Sequence, residues 1–215
     1  RRAGRDPAAV TLVGVSKTVP VERIAEAVEA GLEDLGENRV QEAREKVPRL
    51  PERVRWHLVG HLQSNKVNQA VRLFRVVHSI DSVDLLLRLE QAAGREGRRM
   101  QALIQVDLAG ETTKFGVPES GLDALLEAAA GCSAVSVRGL MILPPYDADP
   151  ERSRPYFRRL RGLLDEARGR RPGLPLTELS MGMTEDFEVA IEEGATLVRV
   201  GRALFGERPA VTRAV

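Results

Sequence analysis

Apolar runs of five to eight residues recur along this chain, and each is followed by a stretch with helical spacing. Thr11–Ser16 (TLVGVS) is the first strand candidate. After it, Val21, Ile24, Ala25 and Val28 fall on one helical face, with Pro20 at the start and Gly31 just past the end. The runs Leu32–Gly36, Arg55–Gly60, Arg75–Ile80, Gln101–Leu108, Ser136–Leu143, Leu176–Met181 and Thr196–Gly201 repeat the pattern. Helices are predicted between them over 39–47, 65–73, 83–96, 119–130, 152–168 and 185–193, with a short helical turn at Arg202–Gly206. Several strands are apolar on both faces, as helix-covered parallel strands are. Eight such units in 215 residues predict an α/β chain folded as one (β/α)8 TIM barrel, a single domain over 1–215. A doubly wound open sheet is the competitor, but no G-x-G-x-x-G follows the first strand.

Composition excludes several functions. The chain carries 32 Lys+Arg against 31 Asp+Glu, a net charge of +1, which leaves no electrostatic footprint for nucleic acid or an anionic membrane. No apolar run approaches the ~18 residues of a membrane span, and no signal peptide is visible, so a cytoplasmic protein is expected. The single cysteine, Cys132, forms no internal disulfide and has no histidine near it in sequence. The histidines His57, His61 and His78 make no zinc motif; His57 and His78 read as hydrogen-bonded core or rim groups, and the role of His61 is open.

The working face of such a barrel lies at the carboxyl ends of its strands. Only four residues are lysines, and Lys17 stands at the end of the first strand, where it reads as an ordinary loop charge or as a reactive amine. Lys114, after the fifth strand, is the rival amine. Gly182 within Ser180–Thr184 (SMGMT) and Gly201 after the eighth strand both precede helices. They are turn glycines, with Thr184 as a cap, or they form two nests that cup a phosphate. Arg199 interrupts an apolar strand, so its guanidinium is either salt-bridged or aimed at a ligand in the mouth.

Taken in order, SKTVP, GENRVQE, SMGMT and VRVG, with the segments between them, make the chain resemble the pyridoxal phosphate homeostasis proteins, single-domain relatives of the alanine racemase amino-terminal barrel. The resemblance implies a barrel holding pyridoxal 5′-phosphate (PLP) as a Schiff base on Lys17. It implies that Ser180, Gly182 and Met183 form one phosphate-side loop and Gly201 and Arg202 a second. Arg199 would face the pyridine nitrogen, and Asn38 and Met141 would line the cofactor. Arg202 stands where many relatives carry a small hydroxyl residue. The activity implied is buffering or delivery of PLP with little or no turnover, by a monomer whose partners are PLP and apo PLP-dependent enzymes. The alternatives are a one-base amino-acid racemase using Lys17 and a cofactor-free Schiff-base aldolase. Tyr146 and Tyr156 flank the loop after the sixth strand, and neither is placed as a second base.

Overall fold

The structure is a computed structural model that describes residues 2–110 and 115–206. The described residues form nine strands: β1 Thr11–Val15, β2 Asp34–Glu37, β3 Arg55–Leu58, β4 Val76–Ile80, β5 Met100–Asp107, β6 Val117–Pro118, β7 Val135–Met141, β8 Glu178–Ser180 and β9 Leu197–Val200. All pairings are parallel. Pairing runs β4-β3-β2-β1-β9-β8-β7-β5, and a β4–β5 pairing closes the ring. The two-residue β6, absent from the sequence reading, pairs with the end of β5. Among the described residues eight α-helices surround the ring: α1 Val21–Glu29, α2 Val40–Lys46, α3 Val67–Leu73, α4 Val83–Arg95, α5 Leu122–Ala130, α6 Arg154–Arg170, α7 Phe187–Glu192 and α8 Arg202–Phe205. The expected (β/α)8 barrel is therefore the fold.

Local chemistry sets the boundaries. In α1 the buried residues are Ile24 and Val28, the apolar stripe of the sequence, and Gly31 takes φ +103° beyond its end. Ser82 caps α4 through a 3.3 Å bond from the Leu85 N–H. Three expected helices begin as tighter 3-10 turns, at Ser64–Lys66, Glu119–Gly121 and Pro150–Ser153. The second strand starts two residues later than expected, at Asp34, because Leu32 and Glu33 are spent leaving α1. The seventh helix starts at Phe187 rather than Glu185, and its cap is Asp186, not Thr184.

Two cores result. The larger lies between strands and helices and includes Phe74, Leu86, Leu89 and Phe157, all fully buried. A smaller one fills the barrel lumen with Val13, Val59, Leu103, Met141 and Leu197. Each such side chain contributes roughly 1.5–3 kcal/mol by leaving water. No helix among the described residues is long and apolar enough to cross a membrane.

Candidate functional site

β1 delivers Lys17 to the carboxyl-terminal mouth. Val13 and Val15 pack with the lumen core, and Lys17 follows two residues further on, half-buried. The backbone around it is tightly held. Thr18 has φ +63°, which a β-branched residue seldom adopts, and its N–H donates to Glu42 Oε2 at 3.1 Å. Ser16 Oγ donates to Glu37 Oε1 at 2.7 Å. Lys46 Nζ donates to the same carboxylate oxygen at 2.6 Å and to the Ser16 carbonyl at 2.7 Å. Glu37 is fully buried at the end of β2, and its Oε2 has no hydrogen-bond partner. Burial pushes its carboxyl up, against the opposing bonds from Lys46 and Ser16. None of this clamp was read from the sequence.

β9 is the other neighbour of β1, with Val13 opposite Arg199 and Gly14 opposite Val200. Arg199 is 3% exposed. It donates to Ser180 Oγ at 2.6 Å and to the Ile142 carbonyl at 2.8 Å. These bonds use part of its donor fork and leave further N–H groups. Burial lowers its pKa to about 10, with the Asp186 carboxylate acting against that fall. Among the described residues the guanidinium is hydrogen-bonded and makes no salt bridge, which sets aside the salt-bridge alternative.

The loops after β8 and β9 meet near this point. Gly182 takes φ +91°, and an added Cβ would fall 2.6 Å from Ala190 Cβ and 2.9 Å from Phe187 Cα, so only glycine fits the bend. The Met183 N–H is bonded to Asp186 Oδ1 at 2.7 Å, so an anion there would compete with a carboxylate. Asp186 also accepts from Ser153 Oγ at 2.8 Å. Gly201 lies against the end of β1, where an added Cβ would sit 3.3 Å from the Val15 carbonyl oxygen. Arg202 pairs with Glu185 and ties the two loops together.

Asn38 follows β2 and is half-buried. Gly60, after β3, is pressed against it, since a Cβ on Gly60 would meet the Asn38 carbonyl oxygen at 2.3 Å. Met141 is fully buried in the lumen core. His61 stacks on Phe115 with ring centroids 3.6 Å apart, and its Nδ1 lies 3.4 Å from Asp81 Oδ2 without hydrogen-bond alignment. Tyr146 is exposed, and Tyr156 packs from α6 onto the outer core. Burial raises the Cys132 thiol above its ordinary range, consistent with an inert residue. Lys114 lies outside the described residues. Among the described residues no group of three or more His, Cys, Asp or Glu could hold a metal ion.

Comparison with known proteins gives the family. The alanine racemase N-terminal domain model matches residues 2–209. A "Pyridoxal phosphate homeostasis protein" from Aquifex aeolicus (strain VF5) is 46% identical over 208 residues, covering 96% of this chain and 91% of that protein. Its namesake from Pseudomonas aeruginosa is 42% identical over 207 residues, covering 96% and 88%. The structure of PipY from Synechococcus elongatus PCC7942, solved with PLP bound, superposes with a TM-score of 0.88 at 41% identity, covering 95% of this chain and 96% of that one. This chain therefore belongs to the pyridoxal phosphate homeostasis protein family, built on the alanine racemase N-terminal barrel.

Proposed function

We propose that this chain binds PLP at the barrel mouth and holds it for intracellular PLP homeostasis, buffering or delivering it with little or no turnover. The observation that carries this reading is the pairing of two cations on neighbouring strands. Lys17 stands beyond the end of β1, and the buried Arg199 stands on β9 with donor capacity remaining. Those residues fit PLP: an amine for the aldehyde, a donor for the ring nitrogen, and two glycine bends for the phosphate. When bound, PLP supplies an aldehyde that an amine captures reversibly and a ring that withdraws electrons.

The chain's own residues divide the work. Lys17 is the attachment point, steadied by the clamp of Ser16, Glu37 and Lys46. Arg199 keeps its proton at neutral pH, so it donates a hydrogen bond without transferring a proton, which restrains carbanion chemistry. Ser180, Gly182, Met183, Gly201 and Arg202 border the phosphate end, with Asn38 and Met141 along the flank. The exposed Tyr146 and the core-packed Tyr156 supply no second base, which favours a carrier over a racemase. We place this activity in the cytoplasm, in a monomer, with apo PLP-dependent enzymes as recipients.

Borohydride treatment of the PLP-loaded protein tests the assignment. A visible absorbance band should vanish while the cofactor's mass becomes fixed to the peptide carrying Lys17. Lys17→Ala should abolish the adduct and Lys114→Ala should not. An adduct on another lysine, or none, would end this reading.

A further inference from the structure

One uninterrupted hydrogen-bonded line crosses the barrel interior. Asp34 Oδ1 lies 2.9 Å from His57 Nε2. His57 Nδ1 lies 2.9 Å from His78 Nε2, and His78 Nδ1 lies 2.8 Å from Ser180 Oγ. Ser180 Oγ in turn accepts from Arg199. All five residues are buried. At the outer end, Arg55 Nη2 donates to Asp34 Oδ2 at 2.6 Å, and both residues line a cleft of about 510 Å³. One end of the line therefore adjoins solvent at the barrel floor, and the other ends beside the mouth.

With Asp34 ionised, donor–acceptor matching along the line places each ring proton once the charge of His57 is chosen. With His57 neutral, its Nε2–H donates to the Asp34 carboxylate, so its Nδ1 is bare and accepts from His78 Nε2–H. His78 Nδ1 is then bare and accepts the Ser180 hydroxyl proton. With His57 protonated, its Nε2–H still donates to Asp34, while the His57–His78 and His78–Ser180 bonds reverse. His57 Nδ1–H donates to His78 Nε2, His78 Nδ1–H donates to Ser180, and the Ser180 oxygen accepts from both His78 and Arg199. Its own O–H must then point elsewhere. The two states differ by one proton and need no heavy-atom movement. To pass between them, Ser180 gives its proton to His78 Nδ1 and takes one from the mouth, while the His78 Nε2 proton moves to His57 Nδ1.

We propose that Asp34, His57 and His78 are positioning residues that decide, through one proton held on His57, whether the Ser180 hydroxyl donates inward to His78 or outward into the mouth. The charged groups facing the line are Asp34 with Arg55 on the floor, and Arg199 with Asp186 near the mouth. Burial, then the charges of His57 and Arg199, hold His78 well below the usual imidazole range, which keeps the middle ring neutral in both states. Asp34 is desolvated, yet the bonds from His57 and Arg55 outweigh this and keep its carboxyl low, so it remains the acceptor. The consequence for PLP rests on the reading above: the outward state adds a donor beside the cofactor, and the inward state withdraws it.

The test is a pH titration of PLP-free protein labelled with 15N-histidine and read by NMR. The chain has three histidines, and His61→Gln removes the third signal. As His57 gains its proton, His78 should exchange its Nε2–H tautomer for Nδ1–H at the same midpoint while staying neutral. A His78 tautomer that stays fixed down to acid unfolding, or changes at a midpoint of its own, overturns the relay. Asp34→Asn removes the carboxylate that accepts from His57 Nε2 and should move the His78 tautomer exchange to lower pH; an exchange that does not move also overturns it. With PLP loaded, the pH profile of the visible absorbance should shift by the same amount in Asp34→Asn, and an unshifted profile overturns the link to the cofactor. Failure of the wild-type protein to take up PLP would defeat the function proposed above and leave the NMR titration to decide the relay.

Discussion

Lys46 Nζ donates a 2.7 Å hydrogen bond to the carbonyl oxygen of Ser16, the residue that precedes Lys17. The same ammonium reaches Glu37 at 2.6 Å, so one buried cation fixes both the end of β1 and the end of β2. Lys46→Met would strand the Glu37 carboxylate in the interior. Urea unfolding at pH 7 should show a loss of about 3–5 kcal/mol. Adding Glu37→Gln should recover part of it, because the stranded charge is then gone.

Glu90 gives a pH prediction of definite sign. Its carboxylate accepts the backbone N–H groups of Ser133, Ala134 and Val135, together with the Ser133 hydroxyl. Burial alone would raise its pKa, but these bonds outweigh burial and hold it below the ordinary 4.5. A depressed acid stabilises the fold above its unfolded pKa and ceases to do so as pH falls through the folded one. Glu90→Gln should therefore cost about 1.5–3 kcal/mol near neutrality. The gap to wild type should narrow steadily below pH 4.5 in a series of denaturant melts.

Gly60 and Asn38 leave no room between them. Gly60→Ala would place a methyl group 2.3 Å from the Asn38 carbonyl oxygen, and backbone must move to relieve it. A destabilisation of about 1–3 kcal/mol is expected by thermal denaturation. PLP retention on gel filtration should fall with it, since Asn38 borders the proposed site.

Arg199 offers a separation of packing from charge. Arg199→Lys keeps a cation but loses the fork that serves Ser180 and Ile142 together. The variant should still take up PLP on Lys17, with a shifted visible maximum and faster loss of cofactor on dilution. Absorbance spectra and a dilution time course would check both.

The sequence exposes the fold because parallel strands covered on both sides must be apolar, and the eight runs stand out against charged helices. Lys17 stands out as one of only four lysines, placed at the end of the first strand, and Arg199 as a cation inside an apolar strand. His57 and His78 carry that signal too, as polar residues inside buried strands, and the hydrogen-bonded core role expected of them is the one found. Their partners were hidden because the stagger between β2, β3 and β4, and the crossing to β8, follow from barrel closure and not from local spacing. The clamp on Ser16 was hidden by distance, with Lys46 thirty residues further along the chain. The capture of the Met183 N–H by Asp186 was missed because it depends on a helix that begins two residues later than expected.

The bond from His78 to Ser180 joins β4 to β8, strands that are not neighbours in the ring. It acts as a spoke across a wheel. Motion that parts β4 from β8 must lengthen or break this spoke. Exchange of the imidazole protons with solvent deuterium would thus gauge how often the two opposed walls separate, from a single interior point.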